Sequence, residues 1–152
     1  MFESILCVLL LAVNPQDSFK KEMGPLQEAI DGLVQSTGAR IMTSSRAAYL
    51  EGYGIAVALE VALEQPPNIF SKMKTGAELR ASVAQRRKDI KDKLSEWLKQ
   101  RIVKTESVGA TESISIVVHL MNTTPNDVPD LPAQFVISVK KDAPGQVTVR
   151  EY

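Results

Sequence analysis

The residues that could do acid–base chemistry in this sequence are few. Carboxylates act as proton-transfer pairs when folding brings them together, so Glu51 and Glu60 are the first candidates, with Tyr53 two residues after Glu51. Glu60 lies within an alternating apolar segment, where an unpaired charge would be costly to bury. A position at the edge of the sheet, or an ion pair with an arginine such as Arg40 or Arg46, would also account for Glu60. These three residues therefore define a candidate polar site, for which a structural role of Glu60 is favoured over catalysis.

Histidine and cysteine are too scarce for the common catalytic or metal sites. His119 is the only histidine and Cys7 the only cysteine, whereas hydrolases need a base beside the nucleophile and metal centres need several ligands. Strand alternation predicts that His119 is a half-exposed strand residue. The sequence also lacks the glycine-rich phosphate loops and the G-x-S-x-G nucleophile turn. We therefore expect no catalytic residue, no metal and no cofactor, and we favour a non-catalytic protein over an enzyme.

Positive charge is concentrated between Lys72 and Lys104, where eleven Lys and Arg accompany four acids. The candidate partner surface in this segment consists of Arg86, Arg87, Lys88 and Lys91. Helical spacing scatters these cations around the helix, whereas a nucleic-acid surface gathers them on one face. Asp89 with Lys93, and Lys88 with Asp92, are also spaced for ion pairs along a helix. The pattern favours a solvated helix over a surface for nucleic acid or anionic lipid.

The overall composition is that of one globular domain. The chain has 152 residues, of which 44% are apolar and 24% charged, which excludes disorder, collagen and coiled coil. Eighteen basic and eighteen acidic residues cancel, and the pI of about 6.6 argues against a chain built for nucleic acid. Because the basic segment carries +7, the remainder carries −7. This asymmetry can be neutralised within the fold, between protomers or by a partner.

Residues 5–13 (ILCVLLLAV) form an uncharged apolar run near the amino terminus. The run is too short for a membrane-spanning helix, which needs about 20 residues, but it suits a signal peptide. The acidic Glu3 before it favours the alternative, a hydrophobic segment of an uncleaved chain. We expect a signal peptide or hydrophobic segment over residues 1–13 and a periplasmic or secreted protein, with a cytoplasmic protein as the alternative.

The first predicted helix begins at Asn14 and Pro15, because asparagine caps a helix and proline is tolerated in its first turn. Apolar residues then recur at helical spacing as far as Val34. Pro25 predicts either a kink or a later start just before it. Gly38 is the expected stop.

The next segment alternates with a period of two. Large side chains point one way and small ones the other over residues 53–63, which predicts a strand. We expect a helix to pack closely on its small face, and its large face to be a second buried surface or one covered by a partner. Residues 40–50 form an antiparallel mate through a turn at Glu51-Gly52. The alternative is one long bent strand with bulges at Gly52 and Gly54.

A long helix and three strands complete the predicted domain. Thr75 and Glu78 have capping-box spacing, and the helix they begin ends near Lys104. Strands are predicted at 113–121, 133–141 and 146–152. We predict a single α+β domain over residues 14–152, with one mostly antiparallel sheet, two main helices on one face, and the order α-β-β-α-β-β-β.

The segment Tyr49–Val57 (YLEGYGIAV) resembles a group of uncharacterised exported bacterial proteins. In that group a Y-L-E-G-Y-G segment opens an apolar strand, and a V-x-V-x-V strand follows a long helix. The resemblance extends in outline over residues 16–141. It implies a signal peptide, and it implies no functional residue because the group has no known activity. The element order is also similar to that of roadblock and longin-type domains, which are small dimerising scaffolds.

Three functions are compatible with these patterns. We favour a non-catalytic interaction or scaffold domain that is exported, and that forms a homodimer or binds a protein partner across one face of its sheet. The alternative is a small hydrolase or ligand-binding domain that uses Glu51 or Glu60 with Tyr53. A third is weak binding of nucleic acid or an anionic surface through the basic helix at 75–104. No membrane-spanning segment is expected.

Overall fold

The computed structural model describes residues 14–64 and 68–152, which form two helices and five strands. The elements in chain order are α1 (Pro15–Gln35), β1 (Arg40–Leu50), β2 (Gly54–Ala62), α2 (Gly76–Lys104), β3 (Ser113–Met121), β4 (Gln134–Lys140) and β5 (Val147–Glu151). This order confirms the predicted α+β class. The apolar run at 5–13, the expected signal peptide over 1–13 and Cys7 lie outside the described residues.

The five strands form one sheet in the order β1-β2-β3-β4-β5. β2 and β3 are parallel, and the other three neighbouring pairs are antiparallel. A parallel pair needs a long crossover connection, which α2 supplies, whereas antiparallel neighbours can follow one another directly. The prediction of one mostly antiparallel sheet is therefore confirmed.

Both helices pack on the same face of the sheet. Leu26 of α1 and Leu94 of α2 share one buried cluster with the large side chains of β2, such as Val57 and Leu59. The expectation that a helix would pack on the small face of β2 is therefore wrong. Large apolar side chains exclude the most water when they face other large apolar side chains, so the helices cover that face. The small side chains of β2 are left on the opposite side.

Side chains cap both helices at the residues that the sequence predicts. Asn14 Oδ1 accepts a hydrogen bond from the backbone N–H of Gln16 at 3.1 Å. Thr75 and Glu78 form the reciprocal capping box, with distances of 2.8 and 3.3 Å. The backbone N–H of Thr75 lowers the pKa of the Glu78 carboxyl. α1 continues through Pro25, so the later start is wrong.

One of the two expected ion pairs along α2 is absent. Asp89 accepts a hydrogen bond from Gln85 at 2.7 Å, and the Lys93 ammonium donates to Ser36 at 2.8 Å. The prediction that Asp89 pairs with Lys93 is therefore wrong. Spacing alone does not decide such a pair, because exposed ion pairs contribute little and another acceptor competes easily.

The β1–β2 connection is the predicted hairpin and not a single bent strand. Leu50 pairs with Gly54 across the turn, and the strands run antiparallel. Gly52 and Gly54 have φ values of 78° and 108°, a region that favours glycine. The register shifts lie within β1, between Ile41 and Arg46. The turn places Tyr53 at the edge of the sheet face opposite the helices.

Candidate functional site

The sheet face opposite the helices carries no helix in the described part of the chain, and we call it the open face. One row of paired residues crosses it from edge to edge and consists of Arg46, Ala58, Val117, Val136 and Arg150. The centre of this row is small and apolar, and Ala58 is exposed. Both ends of the row are arginines. The face is therefore accessible and positively charged at two edges.

A neighbouring row on the open face is rich in hydroxyl groups and consists of Ala48, Ala56, Ser115, Ser138 and Thr148. Tyr53 Oη donates a hydrogen bond to Ser115 Oγ at 2.9 Å. Ser115 Oγ lies 2.7 Å from Ser138 Oγ, and Ser115 is only 2% exposed. A chain of hydroxyls thus runs from the β1–β2 turn to β4.

The three hydroxyl residues of this row, Ser115, Ser138 and Thr148, line a groove of about 470 Å³, which we call the hydroxyl groove. Known small-ligand sites have volumes of about 300 to 1,000 Å³. Lys140 and Arg150 line the groove on opposite sides of the Ser138 and Thr148 pair, because β4 and β5 are antiparallel. Among the described residues, no Asp or Glu side chain lines the groove, and neither cation has an ion pair. The groove therefore suits an anion.

The structure separates the polar residues that the sequence grouped as a candidate site. Tyr53 lines the hydroxyl groove, and Glu51 is exposed in the adjoining turn. Glu60 lies near the other end of β2, about 20 Å from Gly54 at the usual strand rise. Its carboxylate accepts a hydrogen bond from Thr43 at 2.7 Å instead of pairing with arginine. Glu51 and Glu60 therefore do not form a carboxylate pair.

His119 lies on the open face and is exposed, paired in register with Glu60. The described residues contain no group of three or more His, Cys, Asp or Glu side chains that could hold a metal ion. No helix in ranges 14–64 and 68–152 has the length and apolarity to cross a membrane.

Two cations of the predicted partner surface on α2 bind the last strand of the sheet. Lys91 Nζ lies 2.6 Å and Arg87 Nε 3.8 Å from the Glu151 carboxylate. The hydrogen bond from Lys91, with the charge of Arg87, holds the pKa of the Glu151 carboxyl below its usual value. These contacts fasten β5 to α2.

The other two predicted surface cations also have partners within the chain. Arg86 Nη1 lies 3.0 Å from Glu64, which is nearly buried, and Lys88 pairs with Asp92 as its spacing predicts. The hydrogen bond from Lys88 to Asp92 raises the pKa of the Lys88 ammonium. Because all four cations are in ion pairs, this side of α2 offers less free charge to a partner than the sequence suggests.

Sequence reasoning missed Glu112, the residue that holds the turn beside the groove. Its carboxylate is 8% exposed and accepts hydrogen bonds from Tyr49 Oη at 3.0 Å, Gly52 N at 3.0 Å and Gly109 N at 2.8 Å. Burial has the largest effect in raising the pKa of Tyr49, and the hydrogen bond to Glu112 and the charge of Glu112 raise this pKa further. Glu112 thus fastens the turn that carries Tyr53 to the start of β3.

We expect Glu112→Gln to lower the free energy of unfolding by about 2–4 kcal/mol. The substitution replaces one carboxylate oxygen by an NH2 group, which cannot accept a hydrogen bond. At least one buried N–H or O–H group that now donates to the carboxylate would then be unpaired. Equilibrium urea unfolding measures the change. Glu106→Gln is the matched control, because Glu106 is exposed and its side chain has no hydrogen bond within the described residues. Equal stability of the two variants would contradict this role for Glu112.

The fold and the open face define the class of this protein: a single α+β domain whose five-stranded mixed sheet is covered by helices on one side only. No protein-family model, curated protein or solved structure matches the chain.

Proposed function

We propose that this chain is a non-catalytic interaction domain that binds an acidic segment of a protein partner on the open face of its sheet. The charge of that face is the observation that carries the proposal. Arg46, Lys140 and Arg150 lie on it without ion pairs among the described residues, and Glu60, in a separate row, is the one Asp or Glu among the strand-paired residues of this face. Such a face attracts a negative partner and repels a positive one.

The dimensions of the open face favour a short segment as the partner. The strands have 11, 9, 9, 7 and 5 residues, so a sheet of five strands about 4.8 Å apart and about eight residues long spans roughly 19 by 27 Å. A stable interface between globular proteins usually buries about 800 Å² on each side. The open face alone is smaller than this, whereas an extended acidic segment fits within it.

A second copy of the chain fits the open face less well than an acidic partner. If two open faces stacked about an axis parallel to the strands, β1 of one copy would lie over β5 of the other. Arg46 would then face Arg150 across the interface. Like charges brought together at an interface oppose association. The homodimer expected from the sequence is therefore an outcome that the test must distinguish.

The proposal is tested by the binding of a fluorescent deca-glutamate peptide, followed by anisotropy at low and physiological salt. We expect salt-dependent binding and no binding of deca-lysine. Ala58→Glu should weaken the deca-glutamate complex about fivefold, because a new carboxylate opposite Arg46, one strand in from the β1 edge, repels the peptide by roughly 1 kcal/mol. Ala81→Glu is the matched control on the exposed side of α2 and should have little effect.

Two results would overturn the proposal. One is the failure of deca-glutamate to bind at low salt; the other is equal weakening by Ala58→Glu and Ala81→Glu, which would indicate net charge instead of a site. Light scattering tests the remaining alternative, which is a homodimer formed through the open face. A dimer that Ala58→Glu dissociates would show that a second copy, and not an acidic segment, occupies the open face.

A further inference from the structure

We propose that the hydroxyl groove is an oxyanion-binding site in which Ser138 and Thr148 donate hydrogen bonds to a carboxylate or phosphate group between Lys140 and Arg150. The inference rests on the proposed function and adds the chemical group that anchors the partner. A carboxylate would come from an acidic side chain of the partner, and a phosphate from a free or esterified phosphate group.

The hydrogen-bond chain fixes which hydroxyl is left for a ligand. Tyr53 Oη donates to Ser115 Oγ, so Ser115 already accepts one hydrogen bond. The Ser115 hydroxyl is almost fully buried, and its own hydrogen needs an acceptor because an unpaired buried donor is costly. Ser138 Oγ, 2.7 Å away, is the acceptor that the described hydrogen bonds provide. Ser115 therefore donates to Ser138, and the Ser138 hydrogen remains available to the groove.

The same chain strengthens Ser138 as a donor. Each O–H group that accepts a hydrogen bond becomes more polarised and donates more strongly to the next acceptor. The phenol of Tyr53 begins the chain, and Ser138 ends it. Thr148 is paired with Ser138 across β4 and β5, so a second hydroxyl lies beside the end of the chain. Two adjacent hydroxyl donors match the two oxygens of a carboxylate or two of a phosphate.

Lys140 and Arg150 supply the charge for an anionic ligand. Each lies two residues along its strand from the Ser138 and Thr148 pair, about 7 Å away at the backbone, and on opposite sides. Both side chains are exposed and long enough to reach a ligand at the hydroxyls. Charge-assisted hydrogen bonds to an oxyanion are stronger than those to a neutral group. With no Asp or Glu side chain among the described lining residues, anions are selected over cations.

The test titrates the full chain with inorganic phosphate and, separately, with glutarate, while calorimetry and backbone amide NMR report binding. We expect at least one of these anions to bind and to shift the amides of β4 and β5. Ser138→Ala should weaken binding about tenfold. Thr148→Val keeps the side-chain shape and should weaken it about threefold. Ser95→Ala on α2 is the matched control, because the Ser95 side chain has no hydrogen bond within the described residues. This variant should leave the anion affinity unchanged.

Tyr53→Phe tests the hydroxyl chain itself. Loss of the Tyr53 hydroxyl leaves Ser138, Lys140 and Arg150 in place. We nevertheless expect anion binding to weaken about threefold, because the hydroxyls of Ser115 and Ser138 are then less polarised. Ser138→Ala combined with Tyr53→Phe should be no weaker than Ser138→Ala alone. Additive losses of anion affinity would show that Tyr53 does not act through Ser138, and would overturn the proposed hydrogen-bond chain.

The outcomes separate this inference from the proposed function. Binding of phosphate alone identifies a phosphate ligand, and binding of glutarate identifies a carboxylate; either supports the site. If deca-glutamate binds but neither small anion does, or if Ser138→Ala and Ser95→Ala bind equally well, the oxyanion site is overturned and the acidic partner remains. If a small anion binds and deca-glutamate does not, the site remains and the proposed partner is overturned.

Discussion

Gly54→Ala is expected to lower the free energy of unfolding by more than about 4 kcal/mol, a large share of the roughly 5–15 kcal/mol that stabilises an ordinary domain. Gly54 has a φ of 108°, and a Cβ at this position would lie 2.1 Å from the carbonyl oxygen of Ser113 and 2.9 Å from its nitrogen. These are backbone atoms of the neighbouring strand. They cannot move aside, because Gly54 and Ser113 begin the parallel pairing of β2 and β3.

Gly52→Ala is the matched control for Gly54→Ala. Gly52 also has a positive φ, 78°, but an added Cβ would have no atom within 4 Å. Its replacement should therefore cost only about 1–2 kcal/mol, the strain of a left-handed conformation. Urea unfolding of the two variants, followed by circular dichroism, gives the comparison. Similar losses in both would mean that backbone conformation, and not the close approach to Ser113, requires glycine at 54.

The close approach at Gly54 is also what builds the hydroxyl groove. The Ser113 N–H donates to the Tyr53 carbonyl at 2.9 Å, so the end of the turn is fastened directly to β3. Tyr53 can then reach Ser115 on the open face. A variant that loses this junction is expected to lose the groove as well as stability. Two neighbouring glycines of the YLEGYG segment thus serve different purposes.

The helices and strands could be predicted from the sequence because their signals are local. The capping residues Asn14 and Thr75 mark both helix starts, and strand alternation gives β3 at the observed bounds. Alternation could not show which face of β2 the helices cover. Residues such as Val57 and Ala58 differ in size, but either face could meet a helix until the apolar stripes of α1 and α2 are placed. The strand order likewise depends on contacts between distant segments.

Most of the candidate site could not be predicted from the sequence. The sequence indicates Tyr53, but only as the companion of Glu51 and Glu60, which the fold places apart. Ser138 and Thr148 join Ser115 only through the register of three strands, and no local spacing relates them. Glu112 binds groups that lie about sixty residues earlier in the chain. Sites of this kind are defined by sheet register, which becomes visible only when the strands are paired.

The largest expected effect on binding comes from removing both groove cations. Lys140→Gln combined with Arg150→Gln should weaken deca-glutamate binding roughly 30- to 100-fold. Each cation contributes a charge-assisted hydrogen bond of about 1.5–3 kcal/mol when fully formed, and less in an exposed groove. Both side chains lack ion pairs within the described residues, so their replacement should leave the folded structure intact.

Lys21→Gln combined with Lys104→Gln is the matched control, because it removes the same net charge from exposed helix positions without ion pairs among the described residues. The most direct test of the open face as the binding surface is the affinity of deca-glutamate for these two double variants, measured side by side at one salt concentration. We expect the affinity to fall roughly 30- to 100-fold for the Lys140 and Arg150 variant and less than about threefold for the control. Equal losses in the two variants would contradict it.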